Sequence, residues 1–220
     1  MCAIVGSRSI DILKDLVALN SYRGSESYSY SWYNVYTNSL VIAERGFGAL
    51  NVDEIILPSD CYGIVHIQAP TNNEDNYSTI HPAIMMKEPY PEYTPDYALW
   101  HNGIIKADVV DKFSEETGTK WDTGQILSKI TTSGQKWWDC LNFFDGTFSC
   151  LLYVRSKGLF MFRNQISPMF VDTNFNISST KFEGSTHTKP DTVWKIDPLE
   201  VKMDEIGSFN TVENPYYFGE

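Results

Sequence analysis

Long apolar runs are missing from this 220-residue chain. No stretch approaches the roughly 20 residues that a membrane-crossing helix needs, and no charged-then-apolar leader opens the sequence. Positive charge is scarce: 17 Lys and Arg stand against 28 Asp and Glu, a net charge of −11. Such a surface repels phosphate backbones and anionic lipid, so neither nucleic acid nor a membrane is expected as a partner. The chain is expected to be soluble and cytoplasmic. Cysteine is sparse and scattered. Cys2, Cys61, Cys140 and Cys150 show no C-x-x-C spacing, so neither a zinc site nor a disulfide scaffold is signalled. The last three sit in apolar or strand-like surroundings and are expected to be reduced core residues. His66, His81, His101 and His187 show no helical i, i+4 pair, so no metal site and no cofactor are expected.

An apolar fraction of 42% and an aromatic fraction of 14% are those of a folded globular protein, and the length suits one domain over 1–220. Ile10, Leu13, Leu16 and Val17 recur at helical spacing and predict a helix over 9–20. A polar turn over 22–27 follows. Strands over 28–36 and 40–43 are joined by Thr37-Asn38-Ser39 as a hairpin, and Gly46-Phe47-Gly48 is expected to break the pattern. A further strand covers 61–68. The polar, proline-punctuated 71–95 reads as a long loop. A strand over 97–105 is expected to be interrupted by His101-Asn102-Gly103. Helices follow over 107–117 and 122–132, the second with Asp122 as N-cap and Gln125 three residues on, then a short helix over 135–141. Strands are expected over 148–154, 159–163, 169–172, 193–196 and 199–203. Two sets of strands and a few helices pack stably as two sheets between helix layers.

The chemistry gathers at the start, Met1-Cys2-Ala3-Ile4-Val5-Gly6. A small second residue is what methionine-removing enzymes accept, so Cys2 is a candidate mature N-terminus. It would then carry a nucleophilic thiol and an α-amine together. That amine has a reference pKa of about 7.7–8.0, near working pH, where a general base is most effective. One residue then supplies nucleophile and base, as in N-terminal threonine enzymes. Ala3-Ile4-Val5 reads as a short buried strand. Taken alone, a cysteine at position 2 is far more often a buried structural residue than a catalytic one.

Several further segments, in order, resemble the glutaminase domain of class II glutamine amidotransferases, from Met1 to about Gly207. The resemblance implies the four-layer α/β/β/α sandwich of the N-terminal-nucleophile hydrolases, an α/β (α+β) fold. It implies Cys2 as nucleophile. Tyr22-Arg23-Gly24-Ser25-Glu26-Ser27 is similar to the family's turn near the active site, with Arg23 ordering the N-terminal residue; outside that context it is a surface turn arginine. His101-Asn102-Gly103-Ile104-Ile105 resembles the family's oxyanion hole. Attack on a side-chain amide makes a tetrahedral oxyanion, and the Asn102 amide with the Gly103 N–H would stabilise it by about 3 kcal/mol. As a bare dipeptide Asn-Gly is a turn signal. Lys120-Trp121-Asp122-Thr123 resembles the segment whose aspartate binds the substrate α-ammonium, although capping is the commoner role of such an aspartate. Phe162-Arg163-Asn164-Gln165-Ile166-Ser167-Pro168 matches as a fold marker.

One position departs from the family. The pattern His-x-Arg-x-x-Thr supplies an arginine for the substrate α-carboxylate, and here it reads His66-Ile67-Gln68-Ala69-Pro70-Thr71. His66 and Thr71 keep their places. Gln68 replaces the arginine, which would weaken glutamine binding about ten- to a hundredfold. A glutamine N–H still donates to a carboxylate. The function implied is hydrolysis of glutamine through a Cys2 thioester, with ammonia passed to a separate acceptor enzyme, since the chain is too short for a synthase domain. Tyr216-Tyr217-Phe218 is a candidate contact for that enzyme. The alternatives are hydrolysis of another γ-glutamyl amide, or a non-catalytic binding domain of the same fold.

Overall fold

A computed structural model describes residues 2–69, 77–86 and 94–212. In chain order the elements are β1 (Ala3–Ser7), α1 (Ile10–Asn20), β2 (Ser27–Asn34), β3 (Ser39–Phe47), β4 (Cys61–Gln68), β5 (Ala83–Met85) and β6 (Tyr97–Ile105). Then come α2 (Ala107–Thr117), α3 (Asp122–Thr132), β7 (Gly146–Val154), β8 (Gly158–Arg163), β9 (Phe170–Val171), β10 (Ile177–Ser178), β11 (Thr186–His187), β12 (Thr192–Asp197) and β13 (Lys202–Ser208). Among the described residues these strands form two antiparallel sheets. One has seven strands in the order β11-β9-β10-β1-β4-β2-β3, the other six in the order β13-β12-β8-β7-β6-β5.

Alternation along each strand assigns the layers. In β1, Ala3 and Val5 pack with Leu13, Leu16 and Val17 of α1, while Ile4 faces the other way and packs with Trp100 and Ala98 of β6. In β7, Leu151 and Tyr153 join that same inter-sheet core, whereas Phe148, Cys150 and Leu152 face α2 and α3. The result is α1, the seven-stranded sheet, the six-stranded sheet, then α2 with α3: an α/β/β/α sandwich. β1, β4 and β7 are buried along their whole length, as strands covered on both faces must be.

Some boundaries differ from the sequence reading. β3 runs through Gly46 and Phe47, because pairing with β2 continues to Ser27↔Phe47, past a register shift between Tyr30 and Ser31. β6 runs unbroken through His101-Asn102-Gly103, each residue paired with β7. Within the stretch read as one loop, 77–79 form a 3-10 turn and Ala83–Met85 add a strand beside β6. The short helix after α3 is a 3-10 helix, Trp137–Phe143, and the last strand starts later than expected, at Lys202. Cys61, Cys140 and Cys150 are buried and free.

Candidate active site

β1 lies in the middle of its sheet and enters it from Cys2. Ala3 pairs with Ile67 of β4, which puts Cys2 across from Gln68, and alternation puts Cys2 on the same inter-sheet face as Ile4. On β6 the same alternation puts Asn102 on the face of Ala98 and Trp100, turned toward β1. Cys2 and Asn102 are therefore both on the strand faces turned toward the other sheet.

Three charged or polar groups converge on Cys2. Arg23 donates from Nε to the Cys2 carbonyl at 2.9 Å. It comes from the 3-10 turn Ser21–Arg23 that closes α1. Gly24 lets that turn lie against the end of β4, since a Cβ there would stand 2.5 Å from the Gln68 carbonyl carbon. The Cys2 sulfur lies 3.8 Å from the Ala69 carbonyl. Burial pushes the thiol up from its ordinary pKa; the Ala69 backbone opposes this, the Asp122 carboxylate adds to it, and the Arg23 guanidinium opposes it.

Asn102 is tied to β1 through a residue that the sequence did not single out. Its Nδ2 donates to the Ser179 hydroxyl at 3.2 Å, and the same hydroxyl accepts the Ile4 N–H at 3.0 Å. The Ser167 hydroxyl donates to the Asn102 carbonyl at 3.2 Å. Gly103 is required by its backbone: φ is +154°, and a Cβ would fall 2.0 Å from the Thr147 carbonyl oxygen on β7.

Asp122 is not the N-cap. Trp121 holds that position, and Asp122 is the first helical residue of α3. Its Oδ1 accepts the Thr123 N–H at 2.7 Å and its Oδ2 the Ile105 N–H at 3.3 Å, so it joins the helix start to the end of β6. No capping box forms, because the Gln125 amide is drawn instead to the Val110 and Thr119 carbonyls at 2.8 and 2.7 Å.

Gln68 is committed within the protein. Its Oε1 accepts from the Ser27 hydroxyl at 3.2 Å and from His81 Nδ1 at 3.1 Å, and its Nε2 points to the Thr79 carbonyl at 3.5 Å. Behind it lies a cluster of buried imidazoles, also missed from sequence. His66 and His81 stack with ring centroids 3.9 Å apart. His81 Nε2 and His101 Nδ1 both reach the Thr123 hydroxyl, at 3.0 and 3.1 Å, and His101 Nδ1 is 3.8 Å from Asp122 Oδ1. His66 Nε2 faces the His101 carbonyl at 3.1 Å and must donate to it. Its Nδ1 is then a bare acceptor with no partner among the described residues. Burial pushes His66 down to about 3 and His81 well below the usual imidazole value. Thr71 and the aromatic Tyr216-Tyr217-Phe218 lie outside the described residues.

The α/β/β/α sandwich, with Cys2 leading into a central strand and an Asn-Gly pair on the facing sheet, is a fold shared with solved structures. Among solved structures the chain is similar to the glutamine phosphoribosylpyrophosphate (PRPP) amidotransferase of B. subtilis, complexed with ADP and GMP. The TM-score is 0.68 and the identity 16%, over 94% of this chain and 49% of that one. A structure described as the allosteric regulatory enzyme of purine biosynthesis matches with a TM-score of 0.65 and 15% identity, over 94% of this chain and 48% of that one. At these identities the likeness establishes the fold. The chain spans about half the length of either structure. No protein-family model matches the chain, and no curated protein does.

Proposed function

We propose that the chain hydrolyses glutamine and yields ammonia for a separate acceptor enzyme. Removal of Met1 frees the α-amine of Cys2. The Cys2 thiolate attacks the side-chain amide carbon of glutamine. The carbonyl oxygen takes up the negative charge and is met by the Asn102 amide and the Gly103 N–H. The α-amine takes the thiol proton, through a water, and delivers it to the leaving nitrogen, which departs as ammonia. Water then attacks the γ-glutamyl thioester, glutamate leaves, and the thiol is restored. Arg23 holds the Cys2 carbonyl, and Asp122 supplies the negative charge for the substrate α-ammonium. By the family resemblance, Gln68 and Thr71 are the residues expected to meet the substrate α-carboxylate.

The observation that carries this reading is the pairing of Arg23 with the Cys2 carbonyl while Asn102 is tied to the same strand two residues further on. The test is release of glutamate from glutamine by the wild type and by Cys2→Ala, with and without a thiol-directed glutamine analogue. Wild-type turnover that both the substitution and the analogue abolish supports it. Equal release by Cys2→Ala would falsify it.

A second reading, hydrolysis of another γ-glutamyl amide, is favoured by the state of Gln68. Its oxygen is filled by Ser27 and His81, and it carries no charge for a carboxylate. A panel of γ-glutamyl amides decides between the two; glutamine as the fastest substrate rejects the second. A non-catalytic binding domain would keep its biological effect in Cys2→Ala.

A further inference from the structure

We propose that Ser179 is a positioning residue, whose hydroxyl fixes the orientation of the Asn102 amide relative to Cys2; this deepens the glutaminase reading above and rests on it. A serine hydroxyl has one proton to donate and two lone pairs to accept with. Here all three are assigned. The proton lies toward the Ile4 carbonyl at 3.4 Å, and the lone pairs take the Ile4 N–H at 3.0 Å and Asn102 Nδ2 at 3.2 Å. With its proton spent on Ile4, Ser179 can only accept from Asn102. The amide must therefore present Nδ2 to it and not Oδ1. One Nδ2 proton is held by Ser179, and the second is left for the anion formed at Cys2.

The hydroxyl is itself anchored. Ser179 N–H donates to the Ile4 carbonyl at 3.0 Å, and the residue is 1% exposed. Its neighbour Ser178 accepts the Asn20 amide of α1 at 2.9 Å and the Thr180 N–H at 3.0 Å. Asn176 accepts the Ser7 hydroxyl at 2.7 Å, at the far end of β1. The segment is thus pinned to the nucleophile strand at both ends. Through one oxygen it connects β1 of one sheet with β6 of the other, so that the anion donor and the nucleophile share a single reference point. A donor held in place before charge develops is what electrostatic catalysis needs.

The test combines kinetics with a readout that needs no turnover. In Ser179→Ala, kcat for glutamine falls about ten- to a hundredfold, part of what an oxyanion donor is worth, while KM is unchanged. The double variant Ser179→Ala/Asn102→Ala is no slower than Asn102→Ala alone, because both changes disable the same donor. Ser179→Thr, which keeps the hydroxyl, recovers kcat. In the wild type, nuclear magnetic resonance shows one of the two Asn102 side-chain protons protected from exchange; Ser179→Ala removes that protection. An active wild type in which Ser179→Ala keeps its kcat, or in which the two losses multiply, overturns the inference alone. So does an unprotected Asn102 amide in the wild type, which needs no variant to fold. A wild type without glutaminase activity, but with a protected Asn102 amide that Ser179→Ala exposes, defeats the proposed function and leaves the orienting contact standing.

Discussion

Acid should loosen this protein through the imidazoles beneath its site. His66 and His81 are buried and stacked, and His66 is held down to about 3. In the unfolded chain the same ring titrates near 6.5. Between those values the unfolded chain binds a proton that the folded one refuses, so the stabilisation is complete above about 6.5 and is lost as pH falls toward 3. Moving from pH 7 to pH 5 costs about 2 kcal/mol for His66 alone. That figure depends mainly on the unfolded value, because pH 5 is still well above the folded one. His81 adds in the same direction. Next to His81, His101 and Arg45 both disfavour charge on it and the Gln68 and Thr123 side chains are neutral; the Asp122 carboxylate stands one residue further off, 3.8 Å from His101 Nδ1. Urea unfolding at pH 7 and pH 5 measures the loss. In His66→Gln, which keeps a donor for the His101 carbonyl but does not titrate, the difference between the two pH values shrinks by about 2 kcal/mol. An unchanged difference in that variant, or a wild type equally stable at both values, refutes the argument.

Other outcomes follow from the same geometry. Gly103→Ala drives a Cβ to 2.0 Å from the Thr147 carbonyl oxygen and should lower stability by about 3 kcal/mol in urea titration. A loss within error would mean that β6 and β7 separate more easily than their pairing indicates. Trp100→Ala empties the centre of the inter-sheet core and should cost about 3–5 kcal/mol; a small change would place that core elsewhere. Because burial and the Asp122 charge both hold the Cys2 thiol up, alkylation at Cys2 should quicken with rising pH through the alkaline range. Asp122→Asn should shift that curve toward lower pH, and a shift the other way would show that the carboxylate does not act on the sulfur.

The long elements were legible because their periodicity is strong. α1, α2, α3 and β4 fall within a residue of where the apolar spacing places them. The N-terminal strand and the arginine turn were also readable, since each is contiguous in sequence, whereas the Asn-Gly pair was expected to interrupt β6 and instead lies within it. What stayed hidden has no local signature. β10 is two residues long, too short for any alternation, yet it sets Ser179 against Ile4. The imidazole cluster is assembled from three strands' worth of chain, with His81 beside the short β5, and only the fold brings His66, His81 and His101 onto one threonine neighbourhood. Asp122 was misread as a cap because an aspartate at a helix start looks alike whether it serves the helix or, as here, also ties down the Ile105 N–H. Gln68 was marked as a departure from the arginine pattern, but its commitment to Ser27 and His81 depends on partners far away in sequence.

The most direct test of the central claim is a mass measurement on the N-terminal peptide after exposure to a thiol-directed glutamine analogue. The account requires that peptide to begin at Cys2, with Met1 gone, and to carry one equivalent of the analogue, an adduct whose formation is slowed by excess glutamine added beforehand. A peptide that retains Met1 in fully active protein, or an analogue bound at Cys61, Cys140 or Cys150 with Cys2 unmodified, would contradict it.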